Sequence, residues 1–130
     1  MKIIQKAIIK KGNNFLILLR SSQAEFFPNY WDFPGGKLEK GEEPYIGIER
    51  EVLEETNLKI KAKKVTGIYE MTLKDTLHRF VIYNTDLLSD NIKLSHEHEE
   101  FRWATKEKIL NLQVEPYMLL YFKGHSINNL

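Results

Sequence analysis

The apolar residues fall into short runs whose spacing changes along the chain. Ile3–Ile9 and Phe15–Leu19 are rich in β-branched and aliphatic residues and flank Gly12-Asn13-Asn14, a pattern that predicts a hairpin. From Pro44 the period lengthens. Ile46, Ile48, Val52 and Leu53 recur at roughly helical intervals and predict a helix over about residues 44 to 56, with that face packed on a sheet. Pro44 suits a first helical position, Glu42 and Glu43 favour the positive end of the helix dipole, and Asn57 is a common substitute for glycine where a helix ends left-handed. Beyond it, Lys59–Lys64 alternates lysine with Ile60 and Ala62, an edge-strand pattern. Two longer strands, about Val65–Leu73 and His78–Thr85, are joined near Lys74-Asp75. A short strand follows around Phe101-Arg102-Trp103, then a helix capped by Thr105 and running through Leu110, and a last helix from Pro116 to Lys123. Strands interleaved with two or three helices predict an α/β fold.

Composition narrows the class. A chain of 130 residues is one domain, residues 1–130, large enough for a proper core. No apolar run approaches the ~18 residues a membrane span needs, and MKIIQKAIIKK is too short and too charged for a signal sequence. A cytoplasmic protein, monomeric or homodimeric, is therefore expected. The absence of cysteine excludes disulfides, thiolate catalysis and cysteine-ligated zinc. A formal charge of +1 argues against general nucleic-acid binding, though not against action on one end of an RNA.

Charge is far from evenly spread. Seven of the 18 acidic residues fall between Glu39 and Glu55. Glu51 and Glu55 stand four apart and Glu51 and Glu54 three apart, so all three project from nearly one side of the predicted helix. Each like-charge pair at that spacing costs an isolated helix about 0.2–0.5 kcal/mol. Arg50 offsets one of them through Glu54 and cannot neutralise three. A solvated face is the ordinary reading of such a helix. A hard cation such as Mg²⁺, which takes oxygen ligands and bridges to substrate phosphates, would instead turn the repulsion into binding. The loop ahead of the helix favours the cation. Trp31-Asp32-Phe33-Pro34-Gly35-Gly36 ends in two glycines that let backbone approach a metal or phosphate closely, and Gly41 permits a second bend.

The stretch from Gly36 to Leu58 matches the Nudix box, G-x5-E-x7-R-E-U-x-E-E-x-G-U with U aliphatic, at Gly36, Glu42, Arg50, Glu51, Val52, Glu54, Glu55 and Leu58. Only the late glycine departs, replaced by Asn57. So many fixed positions over 23 residues make the match highly specific. The chain resembles the Nudix hydrolases, and the resemblance implies an α/β/α sandwich around a mixed sheet. It also implies Mg²⁺-dependent cleavage of a diphosphate linkage in a nucleoside diphosphate joined to another group, with Mn²⁺ as a substitute. Mapped by position, Glu51 and Glu55 become the principal metal ligands, completed by the Gly35 carbonyl, with Glu54 a further ligand or the base for the attacking water. Glu42 would serve a second metal or the ligand, beside Gly36, and Arg50 would orient the glutamates.

Outside the box the family commonly places a basic residue against substrate phosphate where Arg20 stands, and a base or extra ligand in the loop before the late strand. Glu97, Glu99 and Glu100 occupy that loop, and Glu97 or Glu100 is the expected auxiliary residue; strand alternation puts Glu100 and Arg102 opposite Phe101 and Trp103. His96 and His98 read as solvated. Aromatics ahead of the box (Phe26, Phe27, Tyr30, Trp31, Phe33) and on the last helix (Tyr117, Tyr121, Phe122) supply either core or a clamp for a nucleobase, with Phe27 and Tyr30 expected to be exposed. The marks of the ADP-ribose, dinucleoside polyphosphate and NADH groups are absent. The short chain, the W-x-F-P-G-G entry and Trp103 look most like the MutT-type pyrophosphohydrolases, which cut a (d)NTP to monophosphate and pyrophosphate and in some cases clear oxidised nucleotides. The partner expected is thus a small nucleotide. The alternatives are another diphosphate (a nucleotide sugar, a dinucleoside polyphosphate or an RNA 5′ end) and a non-catalytic nucleotide-binding regulator.

Overall fold

The computed structural model describes residues 1–127. Its chain order is β1 (Lys2–Ile8), β2 (Lys10–Lys11), β3 (Asn14–Arg20), β4 (Trp31–Asp32), β5 (Gly35–Lys37), α1 (Pro44–Thr56), β6 (Ile60–Leu73), β7 (Thr76–Leu87), β8 (His98–Ala104), α2 (Lys106–Ile109) and α3 (Pro116–Lys123). One sheet is mixed, in the order β5-β1-β7-β6, with β1 parallel to β7 and the other pairs antiparallel. The second runs β2-β3-β4, with β8 on the other side of β3, and is antiparallel throughout.

Successive side chains of a strand point to opposite faces, and the sheets use this to feed two cores. Ile8, Ile17, Phe80 and Ile82 enter the core closed by Ile109 of α2 and Tyr117 and Met118 of α3. Their neighbours Ala7, Leu16, Leu18 and Val81 enter the other, closed by Ile48 and Val52 of α1. Helices thus cover both sides of the strands, an α+β sandwich. Among the described residues no helix is long and apolar enough to cross a membrane.

Two strand expectations need correction. Ile3–Ile9 and Phe15–Leu19 do not form one hairpin: the turn at Gly12 joins only Lys10–Lys11 to Asn14-Phe15, while β1 leaves for the other sheet to lie parallel to β7. The segments expected at 59–64 and 65–73 form one strand, β6, starting at Ile60 and interrupted by irregularities between Ala62 and Lys64 and between Val65 and Gly67. The β6–β7 turn is two residues, Lys74 and Asp75, both at positive φ (46° and 64°), the mirror-image geometry that suits the twist of a hairpin.

α1 spans Pro44–Thr56 as its punctuation predicts, with the Glu43 carboxylate accepting from the Ile46 N–H as cap. Its buried face differs from the one read from the pattern. Ile48, Val52, Glu55 and Thr56 are buried, while Ile46 and Leu53 are exposed at 62% and 44%, because they lie round the helix from the Ile48–Val52 stripe. Asn57 ends the helix at φ 66°, ψ 9°, its N–H bonded to the Leu53 carbonyl. N57G is expected to change stability by less than about 0.5 kcal/mol. N57V, which forces a β-branched residue into the left-handed region, should cost about 1–2 kcal/mol. Thermal unfolding of the two variants checks this; equal stabilities would contradict it.

Candidate active site

The Pro34-Gly35-Gly36 turn brings β5 against β1 and under α1. Gly35 sits at φ 151° opposite Lys6, and a Cβ there would lie 1.9 Å from the Gln5 carbonyl oxygen, so only glycine fits. Its N–H donates to Glu55 Oε1 at 2.9 Å. A Cβ on Gly36 would lie 2.3 Å from Glu51 Oε2. The two glycines therefore create the space that two helix carboxylates fill. G36A is expected to leave the fold intact, since the atom it meets is the mobile end of a side chain. Displacing Glu51 by about 1 Å should lower turnover about 10²-fold; unchanged kcat/KM would show that Glu51 has no positional role.

The three box glutamates are not equivalent, although their spacing puts them on one side. Glu55 is 6% exposed, Glu51 half-buried and Glu54 exposed. Burial pushes the Glu55 carboxyl up to about 8, with Lys6 and the Gly35 N–H acting the other way and Asp32 and Glu97 adding to the rise. Burial likewise raises Glu51, against the pull of Arg50. Arg50 reaches more of the cluster than its spacing from Glu54 suggests. Its guanidinium bonds Glu42 twice, at 2.6 and 3.0 Å, and lies 3.1 Å from both Glu51 and Glu54.

A divalent cation fits part of this set. Glu51 and Glu55 offer hard oxygens on either side of the glycine turn, and burial makes their negative charge costly without a cation. Glu54 instead lies on Arg50, 62% exposed. Among the described residues no three Asp, Glu or His side chains converge as a ready-made site.

A cavity of about 390 Å³ opens over the turn, lined by Lys6, Arg20, Gly35, Gly36, Glu55 and Glu97, among others. Lys6, Arg20 and Lys37 also line a smaller, adjoining cavity of about 200 Å³ with Phe26, Leu73, Phe80, His78 and Glu115. Of the expected site residues, the cavity thus gathers Arg20, Gly35, Gly36 and Glu55, with Glu51 packed against Gly36. Glu42, Arg50 and Glu54 form the neighbouring ionic cluster. Glu100 is not brought in: it is exposed, 3.6 Å from Arg102 on β8, and Glu97 is the carboxylate of that region which lines the cavity.

Several contributors were not anticipated. Asp32 is fully buried and accepts from Lys6 at 2.7 Å, Arg20 at 3.2 Å and the Tyr117 hydroxyl. Burial alone would raise its carboxyl; Lys6, a hydrogen bond from Glu115 and Arg20 outweigh that and hold it well below the usual carboxylate range. Burial and the Asp32 charge drive the Glu115 carboxyl the opposite way, well above the usual carboxylate range. Arg20, with Nε on the Phe26 carbonyl at 3.0 Å, is therefore anchored on two sides. His98 is not solvated as expected but 8% exposed, and burial pushes its imidazole down to about 4. Phe27 and Tyr30 are half-buried against each other, while Phe26 is the loop aromatic that faces the smaller cavity. Trp31, Phe33 and Tyr117 are core, and Tyr121 and Phe122 line a separate groove. The one signal for the missed group was charge at positions that strand periodicity buries, Lys6 and Asp32.

A sandwich of two sheets between helices places carboxylates over a glycine turn beside a basic cleft, an arrangement suited to a cation and an anionic ligand. Residues 6–122 match the NUDIX domain, and the chain belongs to the Nudix family. A MutT-like protein of Streptomyces ambofaciens is 28% identical over 112 residues, 86% of this chain and 68% of that protein. The mouse diphosphoinositol polyphosphate phosphohydrolase 3-alpha is 35% identical over 100 residues, 72% of this chain and 59% of its own length. The crystal structure of a MutT protein from Methanosarcina mazei Go1 superposes with a TM-score of 0.87 at 30% identity, covering 94% of this chain and 90% of that one. The chain is accordingly a Nudix hydrolase of a diphosphate substrate, in a family that uses divalent metal ions.

Proposed function

We propose that this protein is a Mg²⁺-dependent nucleoside triphosphate pyrophosphohydrolase that converts a (d)NTP to the monophosphate and pyrophosphate. The observation that carries the reading is the pair of adjoining cavities. One has carboxylates and a glycine turn; the other has Phe26, Leu73 and Phe80 beside the polar His78 and Glu115; Lys6, Arg20 and Lys37 border both. Such a cleft suits a phosphate chain at one end and a flat base at the other.

Glu51, Glu55 and the Gly35 carbonyl would hold the cation, which supplies neutralisation of phosphate charge and a more acidic water. Arg50 holds Glu42, Glu51 and Glu54 in register. The guanidinium of Arg20, fixed through Nε and Nη1, keeps Nη2 for a phosphate oxygen. Glu97, lining the cavity, takes the proton from the attacking water; Glu54 is the other carboxylate chemically able to do so, once released from Arg50.

The mouse relative's name points to a diphosphate on a polyphosphorylated ring instead. The cations favour the nucleotide. Lys6 is committed to Asp32 and Arg20 has only Nη2 to spare, so Lys37 is the one cation lining both cavities without a carboxylate partner among the described residues. A non-catalytic regulator would not need the full carboxylate set, which is intact here. The test is kcat/KM across (d)NTPs (oxidised ones included), nucleotide sugars, dinucleoside polyphosphates, capped RNA and diphosphoinositol polyphosphates. Preference for a nucleoside triphosphate supports the reading; preference for any other diphosphate overturns it.

A further inference from the structure

Buried polar atoms without a hydrogen-bond partner are rare, because each forfeits its hydration for nothing. Among the described residues four side-chain atoms are in that state: Gln5 Oε1, Ser95 Oγ, His98 Nδ1 and Glu115 Oε2. Two of the four, on Ser95 and His98, belong to one short segment, and that segment is tied to the end of α1. The Lys93 N–H donates to the Thr56 carbonyl and the Ser95 N–H to the Glu55 carbonyl, both at 2.9 Å. His98 then opens β8, paired with Arg20 where the β3–β8 register shifts. Its Nδ1 stands 3.5 Å from Glu55 Oε2, just beyond hydrogen-bond range. The other oxygen, Oε1, already accepts from the Gly35 N–H.

We propose that His98 is a positioning residue for Glu55: its Nδ1–H donates to Oε2, so that the carboxylate is clamped at both oxygens over the Gly35-Gly36 turn. This rests on the reading of Glu55 as a cation ligand. The ring is anchored in a strand and enclosed, so a contraction of a few tenths of an ångström closes the contact without repacking. Among the described residues no other group bonds Nδ1. A ligating carboxylate held by a hydrogen bond from behind keeps its orientation, and loss of such a partner weakens metal binding about 10–100-fold in comparable sites. His98 also directly follows Glu97 in the chain. The residue that steadies the ligand therefore fixes the backbone of the carboxylate facing the cavity.

The experiment is Mn²⁺ binding to the full chain without nucleotide, read from the free Mn²⁺ electron paramagnetic resonance signal. H98A is expected to weaken binding about 10–100-fold. H98N, whose amide nitrogen reaches the place of Nδ1, should return it close to wild type, and H98Q, whose amide reaches the place of Nε2, should not. Thermal unfolding is recorded for each variant; if H98A does not fold, the H98N and H98Q pair decides. E55Q is measured alongside. If E55Q binds Mn²⁺ like wild type, the ligand reading itself fails. If E55Q loses Mn²⁺ while H98A keeps wild-type affinity, or H98Q rescues as well as H98N, the role of His98 alone falls. Imidazole ¹⁵N spectra give an independent readout: the His98 proton is expected on Nδ1, and a proton found on Nε2 overturns the inference.

Discussion

E55Q is expected to lower Mg²⁺-dependent turnover on the order of 10³-fold while the protein remains folded. Glutamine keeps the volume of the buried side chain and an oxygen to accept from the Gly35 N–H, so the packing at the end of α1 survives. What it removes is the negative charge. Lewis-acid stabilisation of a phosphoryl transition state contributes several kcal/mol, and each ~1.4 kcal/mol is a factor of ten in rate. A ligand lost from a two-carboxylate site forfeits most of that. Because burial makes the Glu55 charge costly without a cation, the same variant should unfold at a temperature no lower than metal-free wild type. A steady-state assay with a calorimetric scan reads both quantities. Wild-type turnover in E55Q would remove Glu55 from the site.

D32N is expected to destabilise the fold by about 3–5 kcal/mol at neutral pH, the usual cost of breaking a buried ion pair and stranding one partner. Lys6 is the stranded group: its side chain is 5% exposed and Asp32 is its only ion-pair partner among the described residues. The effect depends on pH with a definite sign. The Asp32 carboxyl is held below its unfolded value near ~3.9, so its contribution is present above that pH and is lost as pH falls through the lowered folded value. The difference between wild type and D32N should therefore be largest at neutral pH and shrink below about pH 4. Urea unfolding at several pH values measures it. A penalty that stays constant into acid would show that Asp32 acts through shape and not charge.

How much of this the sequence shows depends on how local each feature is. α1 and its carboxylates were legible because a helix is specified by residues three and four apart, with Pro44 and Asn57 marking its ends. The box match named Gly36 and Glu51 as separate site residues, and the structure sets the Glu51 carboxylate against the Gly36 turn. The Asp32 hub was not legible. Lys6, Arg20, Asp32 and the pair Glu115 and Tyr117 at the start of α3 come from four places along the chain, and β1 reaches them by a parallel pairing with β7 that has no local signature. The same long-range pairing defeated the hairpin expected of Ile3–Ile9 and Phe15–Leu19. His98 was misread for a related reason. The run His96 to Glu100 is as polar as a loop, yet β8 begins inside it, and pairing with Arg20 turns one of its two histidines inward. Of the two carboxylates expected there, Glu100 lies along that strand away from the cavity, while Glu97, just before the strand, lines it.

The most direct measurement is ³¹P nuclear magnetic resonance of the products formed from a nucleoside triphosphate and Mg²⁺ by the wild-type chain. Monophosphate and pyrophosphate should appear in equal amounts and at equal rates, with neither product formed when the divalent cation is chelated. Diphosphate with inorganic phosphate, or an unchanged triphosphate spectrum in the presence of Mg²⁺, would contradict the function proposed for the Glu51–Glu55 site.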